Sequence, residues 1–145
     1  MNKLVLLGIF IIFNSNPTPN FIKEFNNLKG EKSDLIFIKK YENSTKICVE
    51  AYVVAVKMRQ AKYKWNPIKK MAILNKYKNQ LDSLIVQYPK NIHLRYVRLL
   101  IQEKAPKILG YNKNITEDKK ILQIEMKQKD STDYLDKYIF KNTSL

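Results

Sequence analysis

Apolar residues recur at intervals of three and four along the middle of the chain, the spacing that places side chains on one face of a helix. This stripe consists of Ile47, Ala51, Val54, Met58, Ala61 and Trp65. Neighbouring valines and a tyrosine widen it and leave only a narrow polar face, so the pattern predicts a nearly enclosed central helix. The β-branched run from Ile47 to Val56 would also suit a strand. However, the helical spacing continues to Trp65, which a period of two does not predict.

Two more helices are predicted after this segment. Asn66 and Pro67 are typical of a helix start, because asparagine caps free amides and proline at the first helical position gives up only an unpartnered N–H. The apolar face of this helix comprises Met71, Leu74, Tyr77, Leu81, Leu84 and Tyr88. A third helix is predicted from the cap Asn91 to the stop at Ala105 and Pro106. Its apolar residues are Ile92, Tyr96, Leu99, Leu100 and Ile101. The short linkers predict antiparallel hairpins.

Two short segments precede the central helix. A helix is predicted between Phe21 and Leu28, with Gly30 as its left-handed C-terminal cap. Residues 35–41 form a continuous apolar segment that suits a helix or a strand. We favour a helix there, because the neighbouring sequence offers no strand to pair with.

Two further helices are predicted after Pro106. Asn114 and Glu117 have the spacing of a capping box, which starts a helix that would run to about Lys129. Asp130 and Ser131 would cap the last helix. The sequence thus predicts an all-α protein of five to seven helices, stacked as antiparallel hairpins after an N-terminal signal segment. Residues 17–145 would form a single helical domain.

The first residues have the layout of a secretory signal peptide. A short basic start at Lys3 is followed by an apolar run from Leu4 to Phe13 and then by a polar, helix-breaking stretch. Residues 1–16 are therefore predicted to be a signal peptide, which implies export to the periplasm or the exterior and limits membrane contact to this segment. The A-x-A cleavage pattern is missing, so an uncleaved anchor or a buried N-terminal element stays open.

The chain is strongly basic, with a formal net charge of +14 from 27 lysines and arginines against 13 acidic residues. Such a surface attracts phosphate backbones and anionic headgroups. The lysines are scattered in separate pairs, however, and the abundance of Asn, Ile, Lys and Tyr is typical of an AT-rich genome. We therefore favour a solvated basic surface over a dedicated binding patch.

Cys48 is the only cysteine and His93 the only histidine. An intramolecular disulfide and a zinc cluster with the usual ligand spacing are therefore excluded. A Cys48–His93 nucleophile pair is formally available, but Cys48 falls on the apolar face of the central helix, where it would act as a small hydrophobe. No catalytic residue, metal ligand or cofactor is predicted.

Several short segments of the sequence resemble segments of known proteins. Leu84 to Asn91, which closes one helix and opens the next, resembles the junction between two tetratricopeptide repeats. Other phrases are Glu50-Ala51-Tyr52, Trp65-Asn66-Pro67, Leu94 to Arg98, Ala105-Pro106, Leu109-Gly110-Tyr111, and Asn114-Ile115 with Asp118-Lys119. In these the chain resembles an uncharacterised family of small exported helical proteins from Bacteroidota. The resemblance implies a helical fold and export, and it adds no chemistry.

The third helix carries the candidate site. The site residues are Arg95, Arg98, Gln102, Tyr111 and Asp118. The first three are spaced by three and four, so they share one helix face. One hypothesis is a polar site, in which both guanidiniums and the hydroxyl of Tyr111 bind a carboxylate or phosphate. The other hypothesis, which we favour, is a brace in which Arg95 or Arg98 pairs with Asp118 or Glu117 and ties two helices together.

Three functions follow from these patterns. The favoured one is a non-enzymatic exported module that holds a protein or peptide partner in a groove between helix hairpins. The alternative is a basic protein that binds nucleic acid or an anionic surface. That alternative predicts the convergence on one face of Lys62, Lys64, Lys69, Lys70, Arg95 and Arg98. An enzyme ranks third, because few titratable groups could converge in a cleft, although a carboxylate pair such as Asp118 with Glu50 stays open. The oligomeric state stays open.

Overall fold

The structure, a computed structural model, describes residues 16–145, and this part of the chain contains seven α-helices and no β-strand. They are α1 (Asn20–Asn26), α2 (Glu31–Tyr41), α3 (Ile47–Arg59), α4 (Pro67–Gln87), α5 (Ile92–Lys104), α6 (Ile115–Glu125) and α7 (Asp136–Asn142). The prediction of an all-α protein with five to seven helices is confirmed. The predicted signal peptide lies, apart from Asn16, outside the described residues. None of the described helices is both long and apolar enough to cross a membrane.

Helices α3 and α5 form the centre of the molecule. Most side chains of both helices are buried, whereas the other helices bury only one to three side chains each. Helix α3 contacts α2, α4 and α5, and α5 contacts α3, α4 and α6. Two helices are thus enclosed because neighbours cover them on several sides, and burial of their apolar side chains is the main stabilising contribution to the fold.

Hydrogen bonds between helices show that neighbours along the chain run in opposite directions. Gln80, late in α4, donates to Glu50, early in α3, over 3.1 Å. Gln102, late in α5, donates to Asn114, which directly precedes α6, also over 3.1 Å. The pairs α3–α4 and α5–α6 are therefore antiparallel hairpins.

Three predicted helix boundaries depend on caps, and two of the three caps are present in the structure. The side chain of Asn66 accepts from the amides of Ile68 and Lys69 at 2.9 and 3.2 Å, as predicted. Asn91 caps α5 in the same way. The prediction for Gly30 is wrong: its backbone is extended, and it precedes α2 instead of closing α1 with a left-handed turn. The hydroxyl of Ser33 accepts from the Gly30 amide and fixes the start of α2.

The apolar stripe of α3 was predicted to reach Trp65, and this is wrong. Helix α3 ends at Arg59, a 3₁₀ turn covers Gln60–Tyr63, and Lys64 is extended. The chain thereby leaves the core before Trp65, whose side chain is 90% exposed.

The predicted apolar face of α4 is buried only at Leu81 and Leu84, with Ile85 beside them, while Met71 and Tyr88 at its two ends are exposed. The reason is length. Helix α4 has 21 residues and its neighbours α3 and α5 have 13 each. At 1.5 Å per residue, α4 is about 12 Å longer than either neighbour, so part of it has nothing to cover it.

Candidate functional site

Helix α5 places Arg95, Arg98 and Gln102 on the face that meets α6, as their spacing predicted. All three side chains are almost completely buried. Buried guanidiniums require charged partners, because removing an unpaired charge from water costs several kcal/mol. The partners come from α4 and α6, on either side of α5.

Asp118 lies at the centre of the site and is fully buried. Its Oδ1 accepts from Arg95 Nη1 at 2.8 Å and from Arg98 Nη2 at 2.7 Å. Its Oδ2 accepts from Arg98 Nε at 2.7 Å, so Arg98 binds this carboxylate with two parallel bonds. Two more carboxylates complete the group: Glu117 Oε1 lies 2.9 Å from Arg95 Nη1, and Asp82 Oδ1 lies 3.2 Å from Arg98 Nη1. We call Asp82, Arg95, Arg98, Glu117 and Asp118 the ionic cluster.

Gln102 does not join the ionic cluster; it binds the start of α6 instead. Its Nε2 donates to Asn114 Oδ1 and its Oε1 accepts from the backbone amide of Asn114, each over 3.1 Å. The prediction of a capping box at Asn114 is wrong, because this side chain accepts no amide of α6. It is already bonded to Gln102, a residue 12 positions away that the local pattern could not reveal.

Tyr111 approaches the ionic cluster from the turn before α6. Gly110 has φ of 61°, a left-handed conformation that favours glycine, and it closes the 3₁₀ turn that precedes Tyr111. The Tyr111 hydroxyl donates to Asp82 Oδ1 over 3.3 Å and therefore meets Arg98 only through this carboxylate. Lys78 Nζ lies 5.3 Å from the centre of the ring. The structure thus brings the five predicted site residues to one junction of α4, α5 and α6.

The charges of the cluster stabilise one another. A hydrogen bond from Arg95 is the main reason why the pKa of Glu117 is lowered. Burial opposes the charge of Arg98, but its bonds to Asp118 and Asp82 outweigh this effect and raise its pKa. Burial, with the charge of Asp82 second, raises the pKa of the Tyr111 phenol, which therefore stays protonated and can donate.

The geometry favours the brace over the ligand site. A bound carboxylate or phosphate would need the guanidinium positions that Asp118 occupies. Within residues 16–145, every buried side-chain nitrogen or oxygen has a hydrogen-bond partner. The same part of the chain shows no grouping of three His, Cys, Asp or Glu residues suited to a metal ion. Glu50, the other carboxylate considered, bonds to Gln80 rather than to the cluster.

The alternative function requires six cations to converge on one exposed face, and two of them do not lie on such a face. Arg95 and Arg98 are buried and bound to carboxylates. They contribute nothing to an exposed basic surface. The other four cations lie close together along the chain; they are Lys62, Lys64, Lys69 and Lys70.

A second buried acidic group, Asp34 on α2, was missed in the sequence. It is fully buried and accepts from Arg59 Nε at 2.7 Å, from Arg59 Nη2, from Tyr63 at 3.0 Å and from Gln60 at 3.3 Å. These bonds tie the first turn of α2 to the end of α3. The sequence did contain one indication of this burial: Asp34 lies three residues before the apolar Phe37 and therefore shares its helix face. Phe37 is buried in the structure.

His93 lies in a buried aromatic group between α1, α3 and α5. Its Nδ1 is 2.9 Å from the hydroxyl of Tyr52, and its Nε2 is 3.2 Å from the hydroxyl of Tyr134. Since a neutral imidazole has one donor and one acceptor nitrogen, one tyrosine donates and the other accepts. Both ring nitrogens are therefore engaged, and neither is hydrogen-bonded to Cys48, so the geometry does not favour a Cys48–His93 nucleophile pair.

No protein-family model, curated protein or solved structure matches this chain. The resemblances to tetratricopeptide repeats and to exported helical proteins of Bacteroidota therefore stay predictions.

Proposed function

We propose that the chain is a non-enzymatic, exported helical scaffold that holds a protein or peptide partner on the outer face of α2. The observation that carries this proposal is the exposure of Leu35 and Ile36, two adjacent aliphatic side chains that are each more than half exposed. They border a shallow depression of about 390 Å³. It is lined by Glu31, Lys32, Leu35, Ile36 and Lys39.

The inner face of α2 is firmly held, which suits it for presenting its outer face. Phe37 is buried in the hydrophobic core, and Asp34 is bonded to the end of α3. A rigid surface loses little conformational freedom on binding, so more of the interaction energy appears as affinity. Because Lys32 and Lys39 flank the two aliphatic residues, the best partner is an amphipathic segment with an apolar centre and acidic edges.

The groove between helix hairpins suits a peptide less well than this face. A depression of about 180 Å³ lies between α2 and α4, above α3. Its lining includes the charged or polar residues Glu42, Ser44, Glu50, Lys57 and Gln80. A polar hollow of this size offers little apolar area to an anchoring side chain. The proposed docking face is therefore the outer face of α2.

A capture experiment with matched variants tests this proposal. The tagged chain, Ile36→Glu and Ile124→Glu are used to recover proteins from an extract of the source cells, and bound proteins are identified by mass spectrometry. Ile124 is an exposed aliphatic residue of α6 and serves as the control. We expect one partner to bind the unchanged chain and Ile124→Glu equally, and about tenfold less of it to bind Ile36→Glu, since a buried aliphatic anchor contributes about 1.5 to 3 kcal/mol. Equal recovery by all three proteins, or recovery of nucleic acid alone, would contradict the proposal.

A further inference from the structure

The start of α4 exposes large apolar side chains that nothing in the described chain covers. Trp65, one residue before the helix cap, is 90% exposed, and Ile68, in the first turn, is 81% exposed. Met71 follows one turn later and is also exposed. Exposed aliphatic side chains are common singly, but a tryptophan, an isoleucine and a methionine within seven residues form a patch.

The same stretch is basic without interruption. Residues 60–81 contain six lysines and no acidic residue. The lysines are Lys62, Lys64, Lys69, Lys70, Lys76 and Lys78. Within residues 16–145, none of them forms an ion pair; the ten ion pairs found there use other cations. Residues 60–81 therefore carry positive charge that no ion pair among the described residues compensates.

Two of these lysines lie where a positive charge does not stabilise the helix that carries it. Lys69 and Lys70 lie in the first turn of α4, which contains no acidic residue. The positive end of the helix dipole disfavours cations there, so these lysines do not stabilise their own helix. A positive helix end with added lysines attracts anions.

We propose that this surface, Lys62 to Met71, docks on an anionic lipid bilayer. Trp65 and Ile68 would enter the boundary between headgroups and acyl chains, and the surrounding lysines would contact lipid phosphates. Tryptophan prefers this boundary, and each lysine near an anionic surface strengthens binding about fivefold. Nucleic acid would use the lysines and could stack on Trp65, but it would offer no apolar environment to Ile68 and Met71. This surface is separate from the α2 face, so the inference goes beyond the proposed function.

Trp65 is the only tryptophan of the chain, and its fluorescence tests the proposal at the surface itself. The full chain is titrated with vesicles of phosphatidylcholine alone or mixed with phosphatidylglycerol. We expect the emission to shift to shorter wavelength with the mixed vesicles only, and brominated lipids in them to quench it. A membrane contact through residues 4–13 alone would leave Trp65 in water. The Trp65 emission therefore distinguishes that contact from docking through the start of α4.

Variants that keep Trp65 test the apolar contribution. Ile68→Ser is compared with Val86→Ser, a change on the same helix at a side chain that is 82% exposed. Loss of one inserted aliphatic side chain should weaken partitioning into the mixed vesicles about tenfold. Val86→Ser should leave it unchanged.

A second pair of variants tests the charges. Lys69→Gln with Lys70→Gln should weaken partitioning about 30-fold, whereas Lys120→Gln with Lys127→Gln removes the same charge elsewhere and should change it far less. An unshifted Trp65 emission with mixed vesicles would overturn the proposal, as would equal losses in the test and control variants. It would also be overturned if a single-stranded oligonucleotide changed the emission and the vesicles did not.

Discussion

Replacing Asp118 with asparagine is expected to lower the free energy of unfolding by about 3 to 5 kcal/mol. Asparagine keeps the shape of the side chain but removes the buried charge that Arg95 and Arg98 share. It also turns an NH₂ group toward guanidiniums that can only donate. The loss is measured by urea unfolding followed by circular dichroism, at the same pH for both proteins.

Glu117→Gln is the matched control for this prediction. The Glu117 side chain contacts the same arginines but is more than half exposed. Water screens its charge, so its loss should cost no more than about 1 kcal/mol. If both variants lose the same small amount, the buried carboxylate does not hold the helices together.

Lowering the pH from 7.5 to 4 is expected to remove about 3 kcal/mol of stability through His93 alone. Burial lowers the pKa of His93 from 6.5 to about 4 in the folded protein. The unfolded chain therefore binds this proton first as the pH falls, which favours unfolding. The contribution is complete above pH 6.5 and is lost progressively down to pH 4. Unfolding free energies at half-unit intervals measure this loss.

His93→Gln separates this effect from the titration of carboxylates. Glutamine can still donate and accept a hydrogen bond toward Tyr52 and Tyr134 but does not titrate. Between pH 7.5 and 5, where acidic groups contribute little, the unchanged protein should lose about 2 kcal/mol and the variant almost nothing. Parallel curves for the two proteins would show that His93 is not the group responsible.

The parts of the fold that the sequence predicted well depend on neighbouring residues. Asn66 and Asn91 were identified as caps because a cap bonds to amides two and three residues ahead. The three-and-four spacing that placed Arg95, Arg98 and Gln102 on one face is likewise a relation between residues close together along the chain. Asp118, the partner of Arg95 and Arg98, was identifiable because it lies in the first turn of the next helix.

The parts that were mispredicted depend on contacts between distant residues. Asp34 is bonded to Arg59, 25 positions away, and no local pattern reports such a pair. Asn114 has the spacing of a cap, but Gln102 competes for it. Asp82 is not among the residues of the predicted apolar face of α4, and only the approach of Arg98 on α5 makes it part of the ionic cluster.

Trp65 shows how a periodic pattern can be misleading. Its position fits the stripe of α3, and an indole in that register would ordinarily be buried. Pro67 requires the chain to restart, and the turn before it carries Trp65 into solvent. The misplaced residue then marks the surface that we assign to a lipid bilayer.

The central claim is that the ionic cluster braces α4, α5 and α6 rather than binding a ligand. A double-mutant cycle of Arg98→Met and Asp118→Asn measures it most directly, with the unfolding free energy of all four proteins. We predict a coupling of about 2 kcal/mol, because either change costs less once the other has broken the Arg98–Asp118 pair, while Arg95 still holds Asp118. Costs that add within about 0.5 kcal/mol would contradict the account.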